Sequence, residues 1–200
     1  TGQIYYEFYD KGYLEAYYPA NVTKFLSEED LKFGMPLYAV CDLWYYNCKD
    51  FPTCPINNIW DLIETDSNGE SKFAFYTQDL TKGDALGIFA QFTADSDNLA
   101  SAYELKYGSS LEYTYNEDAA ILGLPENNAG YEYIYRLAQL SKLNIVDKPD
   151  DRVLAIHNST GGTPSVGFAT GAKRAKNIDN GWGTLAWVKQ AAPSACYIRP

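Results

Sequence analysis

Apolar and polar side chains alternate along much of this chain, and this period of two limits the fold more than any other feature of the sequence. Clear examples are residues 4–9, 13–18 and 36–46. Successive side chains of a β-strand point to opposite faces, so the alternation indicates strands with one buried face. The chain also has 18 tyrosines in 200 residues, and tyrosine is favoured in strands over helices. Both observations predict antiparallel strands.

Turn residues separate the predicted strands. Asp10-Lys11-Gly12 is a three-residue connection with glycine last, and Asn180-Gly181 is typical of a two-residue hairpin turn. Asp66 to Gly69 marks another turn, although residues 59–63 before it also fit a short helix. The remaining strands are predicted over 58–65, 71–77, 85–93, 102–107, 111–115, 131–140, 152–157, 165–170, 183–188 and 195–198.

Many short strands at this spacing predict an all-β fold: an antiparallel β-sandwich, or a jelly-roll or barrel-like sheet, with one or two short helices. One helix is expected to begin at Ser27, which is followed by three acidic residues, and to end before Gly34. A chain of this length can bury one large core. We therefore expect a single domain over residues 1–200.

The composition argues against several classes of protein. The hydrophobic fraction is 46% and the charged fraction 21%, as in ordinary globular chains. No apolar stretch approaches the roughly 18 residues of a membrane-spanning helix, so no membrane span is expected. The formal net charge of −10 disfavours binding to phosphate backbones, so nucleic acid is not an expected partner. The oligomeric state is left open by the sequence.

Four cysteines predict two disulfides and an oxidising compartment. Their spacing matches no zinc site, in which paired ligands stand two to four residues apart. Three pairings are open, of which we favour Cys48 with Cys54, closing a small loop, and Cys41 with Cys196, joining the chain end to an early strand. The alternative is four free buried thiols in a cytosolic protein.

Asn21 and Asn158 each begin an N-glycosylation sequon, Asn-Val-Thr and Asn-Ser-Thr. Such sites are glycosylated only in proteins that pass through the secretory pathway. With the cysteines, they predict a secreted, extracellular glycoprotein.

A glutamate framed by aromatic residues recurs in the predicted strands and defines the candidate binding site. The first hairpin pairs Tyr9 with Tyr13, and counting back by twos therefore pairs Glu7 with Glu15. Facing carboxylates destabilise a sheet, so the arrangement invites a functional explanation. The Tyr/Glu patch consists of Tyr5, Glu7, Tyr9, Tyr13, Glu15 and Tyr17.

We expect the tyrosines of the Tyr/Glu patch to stack on flat faces such as sugar rings, and its carboxylates to accept hydroxyl hydrogen bonds. The alternative is a solvated outer face of the sheet. A second hairpin, with Gly108 to Ser110 as its loop, is predicted to place Glu104 opposite Glu112 in the same way.

Three functions are compatible with these features. The first is a secreted, non-enzymatic protein that binds a glycan or a partner surface through the Tyr/Glu patch. The second is a carboxylate-dependent glycoside hydrolase, because opposed strand residues approach the spacing of a catalytic carboxyl pair. The third is a structural, wall-associated protein or secreted effector without a small-molecule pocket.

No catalytic residue, metal site or cofactor is predicted. His157 is the one histidine of the chain, which argues against most nucleophile triads. The acidic runs at 64–68 and 95–98 are expected to be plain turns. The first begins like a calcium-binding loop, but Phe75 stands where the bidentate glutamate belongs.

Overall fold

The computed structural model describes residues 7–15, 18, 20–24, 27, 38–40, 42–47, 50–51, 53, 55–159, 162–170, 185–187 and 197–199. Of these, residues 38–40, 42–43, 84, 169–170, 185–187 and 197–199 are described by their backbone alone. The chain divides into two compact units, residues 1–40 with 196–200 and residues 41–195. The prediction of one domain over residues 1–200 is not tested by this division and stays a prediction.

In the first unit, residues 7–10 are helical, so the predicted first hairpin is wrong. The amide of Lys11 donates to the carbonyl of Glu7 at 3.1 Å, and the amide of Tyr13 donates to the carbonyl of Phe8 at 2.9 Å. Gly12 follows with φ of 68°. A glycine with positive φ ends helices as well as hairpin loops, and here it ends a helical turn.

Two short strands complete the described part of the first unit. β1 (Tyr38–Val40) pairs antiparallel with β7 (Tyr197–Arg199). The register places Tyr38 beside Arg199, Ala39 beside Ile198 and Val40 beside Tyr197. β1 lies within the strand predicted over 36–46, and β7 overlaps the strand predicted over 195–198. The helix predicted from Ser27 to Gly34 lies outside the described residues, apart from Ser27 itself.

The second unit is built on a mixed five-stranded sheet with the order β4-β3-β5-β2-β6. β3 runs parallel to β4 and β5, whereas β2 runs antiparallel to β5 and β6. The strands are β2 Asp42–Asn47, β3 Ala74–Thr77, β4 Leu143–Ile145, β5 Ser165–Thr170 and β6 Leu185–Trp187.

Helices occupy most of the remaining described chain of this unit. Two short 3₁₀ helices, Ile59–Ile63 and Gly83–Ala85, precede the α-helices. The α-helices are α1 Leu86–Ala94, α2 Ser96–Tyr107, α3 Asn116–Leu122, α4 Ala129–Ala138 and α5 Pro149–Asn158. The fold is therefore mixed α/β, and the predicted all-β fold, whether β-sandwich, jelly-roll or barrel, is wrong.

The sheet is covered by helices on both faces. On one face Trp44 of β2 packs against Phe168 of β5, with ring centroids 3.8 Å apart, and against Phe92 of α1 at 6.0 Å. On the opposite face Tyr45 packs with Val153 and Ile156 of α5. A sheet with parallel strands is usually covered on both faces in this way.

Four predicted strands are helices, and in α4 local signals explain the difference. In α4 the buried residues Ala129, Tyr133 and Leu137 recur every four positions, a spacing that places them on one face of a helix. The Asn128 side chain caps this helix by accepting from the amides of Gly130 and Tyr131. The corresponding errors are the strands predicted over 85–93, 102–107, 131–140 and 152–157, now α1, α2, α4 and α5.

The other strand and turn predictions had mixed outcomes. The strands predicted over 36–46, 165–170 and 183–188 overlap β1, β2, β5 and β6. The turn at Asp66 to Gly69 is present, but the residues before it form the 3₁₀ helix that the sequence offered as an alternative. Among the described residues, no helix is both long and apolar enough to cross a membrane.

Close packing of α4 on α1 generates a first prediction. A Cβ atom on Gly130 would stand 2.3 Å from the carbonyl oxygen of Phe92, which is backbone and cannot turn away. We expect Gly130→Ala to lower the free energy of unfolding by about 1 to 3 kcal/mol through overpacking, measured by urea denaturation. Gly83→Ala is the control, because no atom of the part of the chain that the structure describes lies within 4 Å of a Cβ there. Equal urea midpoints for the two variants would contradict the packing.

Candidate functional site

A cleft of about 440 Å³ lies where the first 3₁₀ helix and the turn after it meet the C-terminal ends of α2 and α4. Ile63 and Leu140 supply apolar surface, and both are buried. The rest of the lining is polar: Glu64, Thr65, Lys72, Tyr107, Arg136 and Gln139.

Long-range hydrogen bonds hold the 3₁₀ helix that forms one wall of the cleft. The Asn58 side chain donates to the carbonyl of Ala102 at 2.7 Å, and the Trp60 indole donates to that of Leu99 at 2.9 Å. Both carbonyls belong to α2. The Tyr133 hydroxyl of α4 donates to the carbonyl of Ile59 at 2.9 Å. The wall is therefore fixed to both helices whose ends complete the cleft.

Glu64 is the centre of the charged groups in the cleft. Its carboxylate accepts from Lys72 at 2.6 Å and from the Tyr107 hydroxyl at 3.0 Å. The ammonium of Lys106 lies 2.7 Å from the same carboxylate and also pairs with Asp61. Three donors thus meet on one carboxylate, two from the end of α2 and one from the segment before β3, and together they fix its position.

Arg136 forms the second charged group of the cleft. Its Nε donates at 2.6 Å to Glu132, which is fully buried, and Nη2 donates at 2.8 Å to the carbonyl of Glu112. The guanidinium also lies over the rings of Trp60 and Tyr103, at 5.7 and 5.6 Å from their centroids. Cation–π contacts of this kind add to the ion pair.

Three titratable groups of the cleft, Glu64, Tyr107 and Arg136, are each held in one protonation state. Burial opposes ionisation of Glu64, but hydrogen bonds from Lys106, Lys72 and Tyr107 outweigh it and lower its pKa. Burial and the charge of Glu64 both raise the pKa of Tyr107. Burial disfavours the charged form of Arg136, but its bond to Glu132 outweighs this and raises its pKa. Each group keeps its usual charge at neutral pH.

The cleft therefore offers fixed donors, acceptors and one aromatic ring. Three cations and three carboxylates stand in or directly behind it, so the local charge is balanced. Tyr107 is 44% exposed, which leaves part of its ring open to a ligand. Among the described residues, no three His, Cys, Asp or Glu side chains are grouped as metal ligands would be.

The structure does not assemble the Tyr/Glu patch as predicted. Glu7 and Tyr9 lie on the helical turn, whereas Tyr13 and Glu15 follow it, so the pairing of Glu7 with Glu15 is wrong. These four side chains are all exposed. Tyr5 and Tyr17 lie outside the described residues. Ligand binding by the patch stays a prediction, now without the hairpin that suggested it.

The second predicted carboxylate pair is also not formed by strands. Glu104 lies on α2, and Glu112 lies in the irregular segment after it. Gly108, predicted as a loop residue of that hairpin, is the C-cap of α2 with φ of 69°. His157 lies in the last turn of α5.

The remaining sequence-based predictions fall mostly on exposed or undescribed positions. Asn21 and Asn158 are exposed, but glycosylation itself stays a prediction. The described residues show no disulfide, but they include no cysteine. The cysteines predicted to form disulfides all lie outside the described residues: Cys41, Cys48, Cys54 and Cys196. The secreted location stays a prediction.

Sequence reasoning missed most residues of the cleft. Glu64 and Lys72 were assigned to hairpin strands, and Gln139 was not considered. One usable signal was present, because Glu132 and Arg136 are four residues apart with the acid first, a spacing typical of a helical ion pair. The approach of Tyr107 to Glu64 spans 43 residues and depends on tertiary packing.

Comparison with known proteins identifies no relative. The chain matches no family model, no curated protein and no solved structure. Function is therefore argued from the geometry of the cleft.

The charged cluster generates a prediction about pH. We expect Lys106→Gln to lower the free energy of unfolding by about 1 to 3 kcal/mol at neutral pH, because it leaves two carboxylates short of a charged donor. Because the pKa of Glu64 is lowered in the fold, its carboxylate stabilises the fold at pH values above the usual pKa of a glutamate. This stabilisation is lost as the pH falls through the folded-state pKa.

Urea denaturation at about pH 7 and about pH 3 measures this effect. The exposed Lys148 supplies the control variant Lys148→Gln. A loss for Lys106→Gln that is equal at both pH values would contradict the assigned ion pairs.

Asp95, at the start of α2, differs from the acids of the cleft. It is buried, it accepts from the Asn98 side chain at 2.6 Å, and its other carboxylate oxygen has no partner among the described residues. Burial raises its pKa, and the bond from Asn98 offsets this only in part. The ionised form therefore weakens the fold at neutral pH.

We expect Asp95→Asn to raise the melting temperature at about pH 7, because it removes a buried charge. The sign follows from the raised pKa: the native state keeps its proton to higher pH than the unfolded chain, so stability falls as the pH rises through that interval. The gain should disappear at about pH 3, where the native carboxyl is protonated. Calorimetry at the two pH values measures the melting temperatures. A variant that is less stable than the unchanged protein at about pH 7 would contradict the destabilising buried charge assigned to Asp95.

Proposed function

We propose that this protein is a non-enzymatic binding protein that takes a carbohydrate, or a similar neutral polyhydroxy ligand, in the cleft around Glu64 and Tyr107. The observation that carries the proposal is the juxtaposition of a half-exposed tyrosine ring with fixed donors and acceptors in one cleft. The chemistry is that expected of the Tyr/Glu patch, but at different residues.

The size of the cleft supports a small ligand. Its volume of about 440 Å³ lies within the range of roughly 300 to 1,000 Å³ typical of small-molecule sites. Ile63 and Leu140 provide apolar surface beneath polar side chains. A ligand with apolar ring faces and a polar edge complements such a lining.

The polar groups match hydroxyls better than a strongly charged ligand. A hydroxyl both donates and accepts, and the Gln139 amide and the Thr65 hydroxyl can do the same. Lys72 has donors beyond the one used by Glu64. Because the nearby cations are balanced by carboxylates, a phosphate or a strong cation would meet opposing charges.

The fixed protonation states favour binding over acid–base catalysis. A general acid or base works best with a pKa near the operating pH, and a glycoside hydrolase needs one carboxyl whose pKa is raised. In the cleft the pKa of Glu64 is lowered and that of Tyr107 is raised. Asp95, whose carboxyl pKa is raised, is not part of the cleft lining.

The proposal includes secretion, which the sequence predicts mainly through its four cysteines. The exposure of Asn21 and Asn158 is consistent with glycan attachment, because the transferase needs access to the amide. Mass spectrometry of the protein from secreting eukaryotic cells tests this part separately from ligand binding.

A glycan array, followed by calorimetric titration with the best saccharide, tests the binding proposal. We expect Tyr107→Ala to weaken binding about tenfold by removing the stacking surface, and Gln139→Ala to weaken it roughly threefold to tenfold by removing hydrogen bonds. Gln139 is exposed, so its truncation leaves the fold intact. Tyr13→Ala is the matched control, because this exposed tyrosine belongs to the Tyr/Glu patch.

Three results would overturn the proposal. The first is an array without a bound saccharide. The second is unchanged affinity in both cleft variants. If Tyr13→Ala alone loses affinity, the ligand binds at the Tyr/Glu patch instead. The third is cleavage of the bound saccharide, measured as released reducing ends, which would make the protein a hydrolase.

A further inference from the structure

The segment between Lys106 and Arg136 has an unusual charge pattern. Residues 107–135 contain no lysine, arginine or histidine, and they contain five carboxylates. One of these, Glu132, is buried and paired with Arg136. The other four are exposed: Glu112, Glu117, Asp118 and Glu126. The segment therefore presents negative charge without a compensating cation of its own.

Large apolar side chains lie exposed in the middle of this segment. Ile121 is 85% exposed and Leu122 is 64% exposed, whereas Ala119 is the buried residue of α3. Residues four apart are neighbours on a helix surface, so Ile121 lies beside Glu117 and Leu122 beside Asp118. We call Glu117, Asp118, Ile121, Leu122 and Glu126 the α3 surface.

The α3 surface is held by a fixed backbone. The side chains of Asn116 and Asn127 bond across the two ends of residues 116–127, and the backbone amide of Asn127 donates to the Asn116 side chain at 3.1 Å. The amide of Leu124 donates to the carbonyl of Ala119 at 2.9 Å, and Gly123 ends the helix with φ of 66°. A surface ordered before binding loses less entropy on association.

The fold accounts for the acids of α3 but not for its apolar residues. Glu117 and Asp118 lie in the first helical turn, where the helix dipole favours negative charge. Ile121 and Leu122 stay largely exposed, although burying such side chains is worth about 1.5 to 3 kcal/mol each. Adjacent exposed apolar residues rimmed by charge are typical of a protein-binding surface.

From this combination we infer that the α3 surface docks a basic, amphipathic segment of a partner protein. The apolar side of such a segment would cover Ile121 and Leu122, and its lysines or arginines would meet Glu117, Asp118 and Glu126. Charge complementarity selects this partner, because the carboxylates repel nucleic acid and anionic lipid. The inference does not depend on the proposed carbohydrate cleft.

The probe for the test is a synthetic amphipathic peptide of about 14 leucine and lysine residues, long enough for about four helical turns. Binding of the fluorescently labelled peptide to the intact chain is followed by anisotropy. We expect the double variant Ile121→Ser, Leu122→Ser to weaken binding at least about tenfold. We expect Glu117→Gln, Asp118→Asn to weaken it about threefold to tenfold and to reduce its salt dependence.

The matched control is the double variant Leu86→Ser, Leu105→Ser, whose side chains are 67% and 86% exposed on α1 and α2. It should bind the peptide within about twofold of the unchanged protein. All substitutions are at exposed positions, and melting temperatures check that the fold is kept.

The inference is overturned if the peptide fails to bind, or if the control variant loses as much affinity as the α3 variant. It is also overturned if a peptide of the same charge with serine in place of leucine binds equally well, because attraction to the net charge of −10 alone would then explain the binding.

Discussion

The packing of Tyr133 and Phe92 on Trp44 is the contact on which the second unit depends. Their rings stack 4.9 Å apart and meet the indole of Trp44 at 6.1 and 6.0 Å. This brings α4 and α1 together over the sheet, at a distance that Gly130 allows. The Tyr133 hydroxyl then reaches the carbonyl of Ile59 and positions the wall of the cleft. The Tyr133 side chain thus packs in the core and also positions the wall of the cleft.

The pair of buried Glu132 and half-buried Arg136 has a positional role more than a stabilising one. A buried ion pair seldom stabilises a fold more than apolar residues of similar size would. Here, however, Glu132 also accepts from the Thr114 hydroxyl at 2.8 Å and from the Tyr115 amide at 3.1 Å. With its acceptors used, the carboxylate fixes the chain that leads into α3 and orients the guanidinium that lines the cleft.

The sequence predicted the positions of turns better than the elements between them. Gly12 and Gly108 were both predicted as hairpin-loop residues and both have positive φ, but each ends a helical segment. Glycine supplies that conformation in both settings, so the residue alone does not distinguish them. The alternation of Tyr131, Tyr133 and Tyr135 resembled that of a strand. The segment is a helix, in agreement with the four-residue spacing of its buried positions and with the cap at Asn128. Tyrosine and glutamate chemistry was predicted, but the pairing of Glu64 with Tyr107 required tertiary packing.

Two surfaces of the second unit are joined by one side-chain pair. Arg136 lines the cleft, and its partner Glu132 holds the amide of Tyr115, the N-cap of α3. The two surfaces differ in their charge, because the cleft balances cations against carboxylates and the α3 surface has carboxylates alone. A neutral ligand suits the first and a basic partner suits the second. Since Glu132 contacts the framework of both, a rigid carboxylate at this position keeps each surface in shape without taking part in either binding event.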